Sequence, residues 1–155
     1  MINHYKRGMT IVELLVVIAV LGIIFSIVLP QFSKTREMQT QKSAVGDVLS
    51  VLERARSQTL ASVDSSEYGV RFQSDRVIIF KGKIFSVDDV NNQTINITAP
   101  ANISNVTLGG ISGDSGDMYF NRLSGMPSKT GTVTVSTTSY SKIITISATG
   151  ASSVN

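Results

Sequence analysis

Residues 14–29 carry no charge at all; they are Leu, Val, Ile, Ala and Phe, interrupted only by Gly22 and Ser26. A run of this length and composition is a transmembrane-helix candidate. It opens on Glu13, and that acid is the anomaly. A carboxylate in such a segment costs about 2.5–3.5 kcal/mol at mid-bilayer, and less near the interface. No basic residue follows within a turn or two on the C-terminal side. Glu13 therefore needs a place at the lipid boundary or a partner supplied from elsewhere.

Cleavage of the chain between Gly8 and Met9 is one source of a partner. It creates an α-ammonium group four residues before Glu13, with an unperturbed pKa of about 7.7–8.0. Methylation of that amine keeps its charge. In a stack of such helices the amine of one subunit can meet the carboxylate of its neighbour. Glycine suits the cut because it puts no side chain in the way of an extended segment in a protease cleft.

Lys6-Arg7-Gly8 followed by Met9-Thr10-Ile11-Val12-Glu13-Leu14-Leu15-Val16-Val17-Ile18-Ala19 resembles the N-terminus of type IV pilins and type II secretion pseudopilins. The resemblance implies that a prepilin peptidase cuts after Gly8 and methylates Met9, and that Glu13 recruits the subunit into a filament. Gly22 and Pro30 fall where the helix of that family has its helix-weakening glycine and proline. Phe is the commonest first mature residue there, and Met9 departs from it while staying apolar. It further implies a single-pass precursor in the bacterial inner membrane, with a cytoplasmic N-terminus and an exported head that then joins an extracytoplasmic filament. The expected partners are other pilin or pseudopilin subunits, the prepilin peptidase, the inner-membrane assembly machinery, and membrane lipid before assembly.

Two alternatives explain less. A secretory signal has a shorter apolar core and a small-residue cleavage site behind it, whereas here Pro30-Gln31-Phe32 follows. A plain single-pass anchor leaves Glu13 without a purpose. Charge bias does not decide orientation, because Lys6 and Arg7 precede the run while Lys34, Arg36 and Lys42 follow it.

With 155 residues, the chain supports one modest domain besides the apolar segment. Lys6 and Arg7 supply two of the 14 basic side chains, against 11 acidic ones, so without residues 1–8 the net charge drops from +3 to +1. The remainder makes no strong compositional case for nucleic acid. His4, the one histidine, lies in the same leader, and there is no cysteine. Disulfides and thiolate metal sites are thereby excluded, and the usual catalytic base and nucleophile are missing from residues 9–155. No enzyme activity and no cofactor are expected.

Beyond Pro30 the helical pattern becomes amphipathic. Met38, Gln41, Val45, Val48, Leu49, Leu52, Ala55 and Thr59 recur in steps of three and four, marking one face. A continuous helix from Met9 to about Ser62 would run about 80 Å, with a kink expected at Pro30, which removes a backbone hydrogen bond. Asp64-Ser65-Ser66 ends it. From Tyr68 onward β-branched residues and turn formers dominate. The strands expected are 68–72, 77–80, 83–87, 94–98, 106–108, 118–121, 131–136 and 142–148. The fold class is α+β: a long N-terminal helix packed by its second half on an antiparallel sheet. The division is a leader at 1–8, an apolar helix at 9–30, an amphipathic helix at 31–63 and a β-rich head at 64–155.

The head extends the resemblance. Arg54-Ala55-Arg56-Ser57-Gln58-Thr59, Tyr68-Gly69-Val70-Arg71-Phe72 and Met118-Tyr119-Phe120-Asn121-Arg122-Leu123-Ser124-Gly125-Met126-Pro127 resemble the GspH/FimT branch of minor pilins and pseudopilins. Gly69 is expected to let the chain turn onto the sheet. Some members of that branch bind DNA through a basic motif after the last glycine. Here Gly150 is followed by Ala151-Ser152-Ser153-Val154-Asn155, with no arginine.

The remaining constellations are weak. Asp88-Asp89, Asp64 with Glu67, and Asp114 with Asp117 lie in expected turns, where Asp is common. Asp114-Ser115-Gly116-Asp117 lacks the ligand spacing of a calcium loop. Asn92, Asn96, Asn102 and Asn105 each open an N-x-[ST] sequon, as composition alone can produce. Arg54, Arg56, Arg71, Arg76, Lys81 and Lys83 are the candidate DNA contacts. Glu53, Glu67 and Asp75 are interleaved among them, which favours a solvated or subunit-facing surface. The expected function is a non-enzymatic filament subunit of the minor kind, in a pilus or a secretion pseudopilus. The alternative is a DNA-binding minor pilin acting in uptake.

Overall fold

The computed structural model describes residues 9–155, and of Leu29 and Pro30 the backbone alone. The expected cleavage position at Gly8, with Lys6 and Arg7, lies outside the described residues. Among the described residues one α-helix, α1 (Ile11–Leu60), precedes nine strands. The chain divides into two compact units, one ending at Arg36 and the other Glu37–Asn155.

In the first unit every described side chain of α1 is exposed, and the segment is long and apolar enough to cross a membrane by length and composition. Two of its hydroxyls are satisfied locally. Ser26 Oγ donates to the Ile23 carbonyl at 2.8 Å and Thr35 Oγ1 to the Gln31 carbonyl at 3.0 Å. The two hydroxyls thus offer no unmet donor to an apolar surrounding. The helical assignment runs through Pro30 without a break.

In the second unit α1 becomes two-sided, as its period demands. Gln41, Ala44, Val45, Val48, Val51, Leu52, Ala55 and Thr59 are buried, while Lys42, Glu53 and Arg54 are exposed. Met38, expected on the buried face, remains 39% exposed at its margin. The helix ends at Leu60 and a single 3-10 turn (Val63–Ser65) follows, with Ser62, Asp64 and Ser65 at φ near +50°. Asp and Ser tolerate that left-handed backbone better than branched residues do.

The expected single sheet is two antiparallel sheets. One has the order β3-β2-β1-β6, from β1 (Tyr68–Phe72), β2 (Arg76–Lys81), β3 (Gln93–Asn96) and β6 (Gly116–Tyr119). The other has the order β5-β4-β7-β8-β9, from β4 (Asn102–Leu108), β5 (Ile111–Gly113), β7 (Gly131–Ser136), β8 (Ser141–Ile146) and β9 (Ser152–Val154). Both feed one core with α1: Val70 and Phe72 from β1, Val77 and Ile79 from β2, Val106 from β4, Val133 and Val135 from β7, Ile144 and Ile146 from β8. Alternate residues point inward, which is the strand period. At Gly116 an added Cβ would lie 2.9 Å from Val106 Cγ1 and 3.0 Å from Leu108 Cδ1, so the two sheets approach closely there.

The strand expected at 83–87 does not form. Gly82 turns the chain at φ +97°, and the Asn92 side-chain amide takes the carbonyls of Ser86 at 2.7 Å and Val87 at 3.4 Å. Those are the acceptors a ladder would need. What the segment contributes is Phe85, which meets Phe80 edge to face at 5.6 Å and covers the outer side of β2. Gly69 also differs from expectation. It makes no turn: it lies inside β1 opposite Phe80, where a Cβ would collide with the Phe80 ring and come within 2.7 Å of the Met118 carbonyl. Its lack of a side chain makes room for the ring. Two short strands, β5 and β9, were not expected. Gly109 and Gly110, at φ +60° and +84°, form the two-residue hairpin loop that joins β4 to β5.

Candidate assembly and contact residues

The start of α1 is built by Thr10. Its Oγ1 accepts the Glu13 N–H at 3.2 Å and its carbonyl accepts the Leu14 N–H at 3.1 Å. Thr10 is therefore the N-cap, and Glu13 stands three residues later, the spacing of a capping box. The four-residue signal T-x-x-E is plain in the sequence and fixes where the helix begins. A carboxylate in the first turn also faces the positive end of the helix dipole. Glu13 is exposed, and among the described residues its carboxylate has no ion-pair partner. Met9 is 66% exposed. Gly22 has nothing within 4 Å of where a Cβ would stand, so packing within the chain does not require glycine there. Pro30 keeps a helical backbone.

The six candidate DNA contacts do not converge into one free cationic surface. Arg71 pairs with Asp117 at 3.2 Å and stacks over the Phe85 ring at 5.2 Å. Arg76 holds Asp75 at 2.7 Å. That contact, hydrogen bond first and charge second, keeps the Asp75 carboxyl below its ordinary range. Lys81 pairs with Asp64 at 3.1 Å and Lys83 with Glu67 at 3.7 Å. Arg56 is committed to backbone: Nε donates to the Gly125 carbonyl at 3.2 Å and an Nη to the Thr149 carbonyl at 3.0 Å. Arg54 is exposed on the outer face of α1. A phosphate backbone would have to displace carboxylates from four of these cations.

Residue types and spacing alone did not single out Arg56 or Thr59 for these roles. Arg56 ties two loops to the helix. Thr59, fully buried, donates through Oγ1 to the Ala55 carbonyl at 2.9 Å and accepts the Tyr68 N–H at 3.0 Å, joining the end of α1 to the start of β1. Only a threonine inside an apolar stripe hinted at this. Tyr68 Oη reaches Asp64 at 3.4 Å; burial, then the Asp64 charge, pushes the phenol above its ordinary pKa. Among the described residues no three metal-ligating side chains gather.

Comparison with known proteins bears on part of the chain. Residues 3–29 match the family model described as the prokaryotic N-terminal methylation motif. The chain is 32% identical over 79 residues to the type II secretion system core protein G of Pectobacterium carotovorum subsp. carotovorum. That alignment covers 51% of this chain and 49% of the relative, so the chain spans about half the length of the curated relative it matches. No solved structure matches it.

Proposed function

We propose that this chain is a member of the type IV pilin and type II secretion pseudopilin family, supported by its match to the N-terminal methylation motif and its likeness to a type II secretion core protein, and that it is a non-enzymatic, minor filament subunit cleaved after Gly8 and methylated at Met9. Before assembly the apolar half of α1 holds it in the inner membrane, N-terminus on the cytoplasmic side; afterwards the same half packs into the filament. The observation that carries this is the apolar surface of residues 11–28, exposed all round and opened by Glu13, whose N–H is capped by Thr10 and whose carboxylate has no ion-pair partner among the described residues. Such a surface must be covered by lipid or by other helices, at about 25 cal/mol per Å² buried. The branch resemblance of the head supports the minor role, and the carboxylates on Arg71, Arg76, Lys81 and Lys83 favour a subunit-facing surface over capture of duplex DNA.

N-terminal mass analysis of the protein from a host with an intact prepilin peptidase tests the processing step. A methylated Met9 terminus is expected; a mature chain still beginning at Met1 refutes it. Glu13 is tested separately. Two unit charges about 4 Å apart interact by about 4 kcal/mol at an effective dielectric of 20, and desolvation removes much of that. The pair therefore sets register and recruitment more than stability. Glu13→Gln should insert and be cleaved normally yet enter filaments poorly, read as the ratio of sheared to cell-associated protein. A wild-type ratio would remove the charge pairing from the account.

A further inference from the structure

The sheet unit carries two apolar features that its own fold leaves open. The first is the loop between β2 and β3, where Ile84, Val87 and Val90 are 85%, 72% and 96% exposed. The loop is anchored by Phe85 on Phe80 and by Asn92 on the Ser86 carbonyl. The Asp89 carboxylate also accepts the Asn91 N–H at 2.9 Å and its Nδ2 at 2.8 Å. Three aliphatic side chains are thus held out in water by a structured segment, with Asp88 and Asp89 between them. Exposed apolar groups rimmed by charge mark interaction sites.

The second is a groove of about 260 Å³ between α1 and the β8–β9 edge, lined by Met38, Val45, Tyr140 and Val154 and flanked by Lys42 and Lys142. Both lysines are exposed, and neither makes an ion pair among the described residues. We propose that the loop 84–90 of one copy of this chain seats in this groove of a second copy, with Asp88 and Asp89 facing Lys42 and Lys142.

Charge complementarity selects this occupant. Loop against loop would gather four carboxylates, and groove against groove would gather four lysines; like charges brought together are penalised. An anionic lipid surface would repel the acidic loop for the same reason. Loop against groove matches apolar tip to apolar cleft and acid to base at once. Because both features are open in the same copy, the contact is head-to-tail and repeats from copy to copy. It rests on the subunit reading above and adds to it, supplying register between sheet units.

The chain has no cysteine, so a disulfide reports introduced thiols alone. Full-length Val90→Cys and Val154→Cys variants, co-expressed in an assembling host and oxidised, should give a covalent dimer. The double variant should give a ladder, and each single variant alone should give neither. Asp88→Lys should lower the dimer yield about two- to five-fold, as an exposed pair allows, with Lys142→Asp doing the same and their combination restoring it. Incorporation into filaments without a dimer overturns this contact. So do equal dimerisation of a single variant, thiol-specific crosslinking of Val90→Cys to a different protein, and absence of recovery in the charge swap. Failure of the unsubstituted chain to enter filaments overturns the subunit reading as well.

Discussion

Thr59 is where the helix and the first sheet are joined, and a short substitution series measures the joint. Its hydroxyl is the partner of the Tyr68 N–H and its methyl lies in the core, fully buried. Thr59→Val keeps the shape and removes the hydroxyl, leaving a buried N–H without a partner at a cost of about 1–3 kcal/mol. Thr59→Ser keeps the hydrogen bond and removes one methyl, about 1 kcal/mol. Thr59→Ala loses both and should be the least stable. The fragment 37–155 coincides with the second compact unit and holds the core. Its urea unfolding can be followed by circular dichroism. With m of about 1–3 kcal/mol/M, Thr59→Val should lower the midpoint by about 1 M, and Thr59→Ser by roughly half as much. Amide exchange at Tyr68 should quicken in Thr59→Val beyond what global stability explains. If Thr59→Val is as stable as Thr59→Ser or more so, the hydrogen bond is not what joins the two elements, and the reasoning fails.

Gly69→Ala forces a methyl into the Phe80 ring and should cost about 1–3 kcal/mol; Phe80→Leu should relieve part of it, seen as a non-additive double mutant in the same assay. Arg56→Met keeps the stem and deletes two charged hydrogen bonds, so stability should fall by about 1.5–3 kcal/mol and amide exchange should rise at 122–126 and 148–151. Arg56→Lys should not rescue both loops, because one ammonium cannot reproduce the guanidinium fork. The phenol of Tyr68 is held above its ordinary pKa, so the folded state keeps its proton longer than the unfolded chain does. Its contribution is therefore complete below about pH 10 and is lost as pH rises through the folded value. Tyr68→Phe should flatten the alkaline limb of a stability–pH curve, and an unchanged limb would assign the loss to other groups.

What was legible beforehand followed from period and local chemistry. The buried face from Gln41 to Thr59 repeats at helical spacing, and β1 and β7 carry alternation strong enough to fix both ends. The segment 83–87 misled because Ile84, Phe85 and Val87 have strand propensity, whereas a strand also needs a free edge, and Asn92 occupies its carbonyls. β5 and β9 are three residues each, too short for composition to distinguish from turn. That the strands divide between two sheets is a matter of pairing between distant segments, which no window of sequence contains. The basic residues show the same limit. Arg71 meets Asp117 across 46 positions and Arg56 meets the Thr149 carbonyl across 93, so the partners that commit them are visible only in the folded chain.

The Arg56 fork has a consequence for which parts of the molecule can change length. A loop held only at its ends accepts extra residues at little entropic cost, but each loop touched by Arg56 is fixed in its middle as well. Gly150 tightens the constraint, because a Cβ there would lie within 2.9 Å of Arg56 Nε. One residue inserted after Ser124 or Ala148 would draw a carbonyl off the guanidinium. The exposed turn between β5 and β6 is held more lightly: Asp114 is exposed, and Ser115 Oγ accepts one long hydrogen bond, 3.5 Å, from an Arg71 Nη. An epitope inserted after Asp114 would be displayed with the core undisturbed, so the tolerant position for a tag or an evolved variation lies between these two strands.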